Sequence, residues 1–392
     1  MKHFYQLENP VMYYDWGSEQ DIPLFTGIKN ECNLPFAELW MGAHPSAPSS
    51  IILDSGKHIT LDAFIGNKRN SLTGEAQEGS LPFLFKILSA KKPLSLQIHP
   101  SKYHAQLGFE DEQSRNIRVH SRKRMYKDTN HKPEIIYALT DFIALCGFRP
   151  YNEAANYLEA TDIRFLQEAG IVLESTHDYS FLMSRVLALT KIQRKKIIHE
   201  LIHEHKALPE PVTEVMRMIA QYYPDDVGVL APLFINCIFL SPGQSIYIPS
   251  GFIHAYIKGT GLELMACSDN VLRAAMTSKH IDKIKFLEAM RISPYKPYIK
   301  ELPRINGIQS IHTEAEEFEL VVVRLDSGTE IVRTSSPMIA LGESGSLHLK
   351  TESDTYILQP GKAVFIDCDS QDVLVSGSGS CYIAKTPERE NA

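Results

Sequence analysis

Two stretches of this chain, Leu240-Ser-Pro-Gly-Gln-Ser-Ile-Tyr-Ile-Pro249 and Leu358-Gln-Pro-Gly-Lys-Ala-Val-Phe-Ile-Asp367, match nearly position by position. Each reads as a Pro-Gly turn followed by a short strand of β-branched and aromatic residues. An internal repeat of this kind means two copies of one β module, and any fold for the chain has to hold both. The copies differ in one respect. After the first, Pro249-Ser250-Gly251 breaks the strand and Phe252 to Ile257 starts another, so a hairpin is expected to deliver His254 from a fixed strand. In the second, Asp367 occupies the proline slot and Asp372 the histidine slot, so chemistry is expected in the first module alone.

Around the repeat, residues 1–90 alternate short apolar runs with Gly, Pro, Asn and Ser, and strand character continues through Pro93 to His99 and Pro133 to Phe148. That spacing points to a sandwich or barrel. From Asn152 to about Tyr223 glycine nearly vanishes, leaving Gly170, and apolar residues recur at helical spacing (Phe181, Leu182, Val186, Leu189). Pro224 closes this block, strand signals resume at Leu233, and the chain is β-like from about Pro303 onward. A mostly β protein with a helical insertion follows. The expected division is a discontinuous β domain of residues 1–150 and 232–302, a helical insertion of 151–231, and a C-terminal β module of 303–392.

Composition narrows the partners. A chain of 392 residues with net charge −7 is not built to embrace nucleic acid or an anionic membrane. No stretch approaches the length of a membrane span, and the N-terminus has no apolar signal core. Six scattered cysteines without a C-x-x-C, most of them in apolar strand-like contexts, fit reduced thiols in the cytoplasm.

In Leu94-Ser-Leu-Gln-Ile-His-Pro100 strict alternation puts Ser95, Gln97 and His99 on one face and Leu94, Leu96 and Ile98 on the other. Gln97 and His99 can thus aim at one ion. In His131-Lys-Pro-Glu134, Pro133 forces Lys132 to be extended, so Lys132 and Glu134 share a face. With His254 these form a mixed N/O set free of cysteine. Zn²⁺ suits it best, one ion per chain, and Mn²⁺ or Fe²⁺ can also be accommodated. A Gln ligand is weak, so water or substrate is expected at a further position.

These motifs resemble a known family. The spacing of Gly243, Pro249 and His254 is similar to the second metal motif of cupins. Gln97-Ile-His-Pro, His131-Lys-Pro-Glu134, Pro249-Ser-Gly-Phe-Ile-His254-Ala-Tyr and Glu263-Leu-Met-Ala-Cys-Ser-Asp-Asn-Val-Leu-Arg273 resemble type I mannose-6-phosphate isomerase. So do Ala37-Glu-Leu-Trp-Met-Gly-Ala-His-Pro-Ser and Leu81-Pro-Phe-Leu-Phe-Lys86, and the matches run in family order over most of the chain. The resemblance implies two cupin-like jelly-roll modules (a bicupin) plus an α-helical domain, with zinc on Gln97, His99, Glu134 and His254. Gln97 stands where the simple cupin pattern has a histidine, and Glu134 arrives far beyond His99.

The implied reaction interconverts mannose 6-phosphate and fructose 6-phosphate, which requires ring opening, proton transfer between neighbouring carbons and a stabilised enediolate. Arg273 offers a planar cationic fork for the enediolate or the phosphate, or a structural partner for Asp269. Glu263 and Asp269 are candidate bases, Lys132 and His131 candidate acids, and Lys86, Ser95 and Lys279 candidate substrate contacts. The substrate is a small phosphosugar, and a monomer is expected. The competing reading is a non-catalytic bicupin that only binds a sugar or metal.

Three features invite other readings. Residues Arg115 to Lys132 are rich in Arg and Lys but hold a single aromatic, Tyr126, so a basic flap over an anionic sugar, carried by Arg122, Lys123 and Arg124, is favoured over nucleic-acid binding. His199-Glu-Leu-Ile-His203 spells the H-E-x-x-H protease signature, yet both histidines fall opposite the apolar stripe of Ile197, Ile198, Leu201 and Ile202. Gly342-Glu-Ser-Gly-Ser and Gly377-Ser-Gly-Ser precede strands and read as turns.

Overall fold

The structure is a computed structural model describing residues 2–53, 55–67, 81–203, 208–333, 336–367 and 372–388. Both repeated segments turn on a left-handed glycine, Gly243 at φ +95° and Gly361 at φ +70°, then extend into the strands Gln244–Ile248 and Ala363–Ile366. A Cβ at position 361 would stand 2.5 Å from Thr26 O, so this turn requires glycine for space as well as for its dihedral.

The strands form two extended antiparallel systems. One runs Lys300–Glu301, Gln244–Ile248, Glu134–Ala138, His254–Ala266, Phe83–Ala90, Val11–Ser18 and Phe36–Met41. Strand His254–Ala266 organises it. Its last residues pair with Phe83–Ala90 and Glu134–Ala138, while its first residues pair with Phe142–Phe148 and with Leu96–Ile98. The bend between the halves falls at a register shift after Tyr256 and at Gly259, whose φ of +122° and approach to Asp141 O exclude a side chain. One strand thereby lines both walls of a barrel.

This corrects the expected hairpin. Gln244–Ile248 and His254–Ala266 do not pair with each other, because Glu134–Ala138 lies between them and bonds to both. The Pro249-Ser250-Gly251 turn carries the chain across that strand. The glycine-rich segments are also not turns. Gly342 and Gly345 lie inside Met338–Lys350, and Gly377 and Gly379 inside Asp372–Lys385, where the paired strands bulge and approach closely. Helices Asp21–Thr26, Leu61–Asn67, Lys102–Ser114 and Lys283–Ala289 interrupt regions that the sequence marks as β.

The other system runs Gly307–Ile311, Glu319–Leu325, Asp372–Lys385, Met338–Lys350, Ala363–Ile366, Phe4–Glu8, Ser50–Ile52 and His58–Thr60. Strand Phe4–Glu8 is bonded to Ala363–Ile366, so the beginning of the chain contributes to the sheet of its C-terminal part. The substituted proline slot serves the same junction: Asp367 Oδ1 lies 2.7 Å from His3 Nδ1.

Period-2 alternation sorts residues between cores. In Glu134–Ala138, Ile135 and Tyr137 pack with Phe85, Leu264, Leu320 and Phe365 between the two systems. Ile136 and Ala138 face the barrel interior with Phe142, Cys146, Ile248 and Tyr256. Glu134 shares that inward parity, at the rim. Helices Tyr151–Glu159, Arg164–Thr176, Tyr179–Ala188, Lys191–His203 and Glu210–Tyr222 pack on the wall that carries His254 and His99, burying Ile98, Ile253 and Ile257 beneath Leu182, Val215 and Ile219. Phe148 stacks on Tyr179 at 4.0 Å between ring centroids. No described helix is long and apolar enough to cross a membrane.

Candidate metal centre and adjoining pocket

Three side chains far apart in sequence converge at the barrel mouth. One ligand atom from each of His99, Glu134 and His254 lies within 4.8 Å of the others, and all three residues are buried. His99 directly follows the Leu96–Ile98 strand, Glu134 opens Glu134–Ala138, and His254 opens His254–Ala266, so the strands direct each side chain. His99 Nδ1 donates to Asn270 O at 2.8 Å, and His254 Nδ1 donates to Phe252 O at 3.0 Å. Both Nε2 atoms are thereby left as acceptors facing inward.

Burial, then the nearby Lys132 ammonium, pushes His99 down to about 4, which keeps it neutral at physiological pH. Burial raises Glu134, but Lys132, His99 and His254 outweigh it and hold the carboxyl well below its usual range. Glu134 Oε2 accepts from Lys132 Nζ at 3.1 Å, and Oε1 accepts from Tyr256 Oη at 2.9 Å. The Tyr256 hydroxyl, pushed well up by burial and by Glu134, stays a donor.

Gln97 Nε2 lies 3.4 Å from His254 Nε2, while Gln97 Oε1 accepts from Ser95 Oγ at 2.9 Å. A half-turn of the amide would present its oxygen to the same space. Two imidazoles, a carboxylate and an amide fit a divalent ion of borderline softness such as zinc, with open positions.

Beside this cluster stands a second buried group. Lys86 and Glu263 face each other across paired strands, and Lys86 Nζ donates to Glu263 Oε2 at 2.7 Å. Glu38 Oε1 is 3.6 Å from the same ammonium, and the Trp40 ring lies 5.0 Å away. Burial lowers Lys86, but Glu263 and Glu38 more than offset this and hold it above its ordinary value.

Arg273, in Leu272–Ala275, pairs in register with Gln97. The Asp269 carboxylate is engaged elsewhere: Oδ2 accepts from Ser46 Oγ at 3.1 Å, and Oδ1 lies 3.6 Å from His44 Nε2. Lys279 stands 5.7 Å from the Tyr14 ring centroid and is lowered by burial, then by the Arg273 and Lys127 cations. Ser95 reaches the pocket through Gln97.

His131 is placed differently. In an extended segment neighbouring side chains alternate, and with Lys132 turned to Glu134, His131 turns outward to Glu317 Oε1, 2.5 Å from its Nε2. The flap set also loses a member. Arg124 is buried, its Nε donating to Tyr126 O and its Nη1 to Ile117 O, each at 2.6 Å, leaving Arg122 and Lys123 exposed. His199 is exposed on Lys191–His203, and the side chain of His203 lies outside the described residues.

The sequence reading missed Glu38, Trp40, His44, Tyr256 and Asn270. Glu38 and Trp40 were within reach, because Phe36–Met41 alternates and its polar members share one face.

The family model "Phosphomannose isomerase type I, catalytic domain" matches residues 4–151. Mannose-6-phosphate isomerase of Salmonella typhimurium is 33% identical over 386 residues, covering 95% of this chain and 97% of that protein. The chain belongs to the type I phosphomannose isomerase family. The human mannose-6-phosphate isomerase is 35% identical over 283 residues, covering 66% of this chain and 64% of that one. A crystal structure of the K86A mutant of phosphomannose isomerase from Salmonella typhimurium superimposes with TM-score 0.91 at 31% identity, covering 99% of this chain and 100% of that chain. A zinc-bound holo mannose 6-phosphate isomerase superimposes with TM-score 0.90 at the same identity and coverage. As a member of the phosphomannose isomerases, this chain carries its buried His-Glu-His group on strands of a fold that the zinc-bound relative shares.

Proposed function

We propose that this chain is a zinc-dependent aldose–ketose isomerase that interconverts mannose 6-phosphate and fructose 6-phosphate. The observation that carries the reading is the placement of a histidine and carboxylate donor set beside a buried lysine–glutamate pair. A protein that merely bound a sugar or an ion would need no acid–base pair beside its donor set.

Gln97, His99, Glu134 and His254 would hold one zinc ion per chain, and when bound that ion would polarise the sugar carbonyl and fix its neighbouring oxygens. Glu263, which accepts a hydrogen bond from Lys86, is the base that takes the proton from C2 of the open-chain aldose and returns it to C1. A second proton passes from the C2 hydroxyl to the C1 oxygen, with Lys132 as donor and acceptor. Arg273 faces the negative charge of the enediolate. Lys279 and Lys127, whose charges crowd each other and Arg273, supply the positive field for the phosphate dianion. Asp269, held by Ser46, serves ring opening.

We assign these steps to residues 1–150 and 232–302, with 151–231 a helical insertion and 303–392 a ligand-free module. The protein is read as a cytoplasmic monomer without a nucleic-acid partner, in line with its net charge of −7 and with unpaired thiols at Cys32, Cys146, Cys237, Cys267 and Cys381. Cys368 lies outside the described residues. A coupled assay for fructose 6-phosphate formed from mannose 6-phosphate tests the proposal. Turnover by the zinc-loaded protein supports it, and zinc binding without turnover leaves a binding protein instead.

A further inference from the structure

We propose that Asn270 is a positioning residue that clamps the ligand His99 to the segment delivering Lys132 and Glu134. Asn270 is fully buried, and every polar atom it has is used. Its carbonyl oxygen takes the His99 Nδ1 proton at 2.8 Å. Its side-chain Oδ1 accepts from Lys127 N at 2.7 Å and Asp128 N at 3.2 Å. Its Nδ2 donates to Asp128 O at 2.8 Å, Asn130 O at 2.9 Å and Asp128 Oδ1 at 3.1 Å. Asp128 returns the grip: its carboxylate accepts from Ser268 Oγ at 2.9 Å and Asp269 N at 2.8 Å.

The ligands come from three distant parts of the chain, and strand pairing alone does not set the approach of 127–132 to His99. This is the gap that Asn270 closes. One face of the residue fixes which His99 nitrogen is free and where the ring points, and the other face fixes the backbone that leads into Lys132 and Glu134. Partners of this kind, one bond removed from a ligand, commonly govern metal affinity about 10–100-fold. Removing the amide leaves the Asn270 carbonyl in the chain but frees the loop that aims it. The inference rests on the metal centre of the preceding reading and not on the identity of the substrate.

The test compares zinc affinity, by chelator competition on the purified full chain, among wild type, Asn270→Ala, Asn270→Asp and Tyr382→Phe. Tyr382 is the control for stability alone, because its hydroxyl bonds to Glu343 at 2.5 Å within the C-terminal sheet. Amide hydrogen exchange at Lys127 and Asp128 is read in parallel. Asn270→Ala is expected to bind zinc about 10–100-fold more weakly and to exchange faster at both amides. Asn270→Asp keeps the acceptor for those amides but turns a carboxylate oxygen toward Asp128 and the Asn130 carbonyl, so it is expected to weaken zinc while exchange rises less than in Asn270→Ala. Tyr382→Phe is expected to lower the melting temperature without moving the zinc constant. Should Asn270→Ala fail to fold, the Asp variant carries the comparison. Folded Asn270 variants that bind zinc like wild type, or that lose affinity only as Tyr382→Phe does, overturn the proposal. A wild type that binds no zinc counts against the metal centre itself, and amide exchange faster in Asn270→Ala than in Asn270→Asp would still show the clamp.

Discussion

Glu263 faces Lys86 directly across two paired strands, with 2.7 Å between carboxylate and ammonium and both side chains buried. Removing the cation strands Glu263 and Glu38 without a counter-charge. Lys86→Ala is expected to destabilise the fold by roughly 3–5 kcal/mol. Turnover should fall by about 10²–10⁴-fold, as for a lost acid–base partner. Denaturant melts and initial rates check both. A variant with lower stability and unchanged turnover would remove the pair from the chemistry.

Arg273 is expected to act on the reaction and not on the ion. Arg273→Ala should retain one zinc per chain while kcat/KM falls about 10²–10³-fold, as for a lost preorganised donor. Arg273→Lys should recover little, since an ammonium lacks the planar fork. Zinc content beside steady-state kinetics separates the two roles.

The contact between His131 and Glu317 predicts a pH-dependent junction. Burial raises Glu317, but the hydrogen bond and charge of His131 outweigh it, so the folded carboxyl titrates below its ordinary value. A depressed carboxyl pKa contributes stability above the unfolded pKa of about 4.3 and loses it as pH falls through the lower folded value. Wild type should therefore exceed Glu317→Gln in stability at pH 6, with the difference closing below about pH 4. A difference that persists in acid would show that the contact does not depend on the carboxylate.

His199 stands exposed on its helix and is not part of the His99, Glu134 and His254 cluster. His199→Ala is expected to leave zinc content and isomerase activity unchanged, and the wild type to cleave no peptide. Chelator-sensitive proteolysis abolished by this substitution would revive the protease reading.

The ligand directions were legible because each ligand sits in a short alternating segment punctuated by proline. Gln97 and His99 precede Pro100, Glu134 follows Pro133, and His254 follows Pro249. Parity needs only the local sequence. Strand partnership does not: Gln244–Ile248 and His254–Ala266 look like a hairpin locally, and only the insertion of Glu134–Ala138 between them reveals the barrel. Helix Lys102–Ser114 was missed because it buries only Ala105 and Glu112 and so lacks an apolar stripe. The ion pairs of Lys86 were not legible because its carboxylate partners arrive from other strands, and the contacts of Asn270 were not because they are made largely with backbone atoms of segment 127–130.

The most direct measurement is a zinc titration of chelator-stripped protein with continuous detection of fructose 6-phosphate formed from mannose 6-phosphate. Activity should rise linearly and reach a plateau at one zinc per chain, and Glu134→Gln should shift that rise to much higher zinc. Full turnover by the stripped protein, or none at full occupancy, would contradict the account.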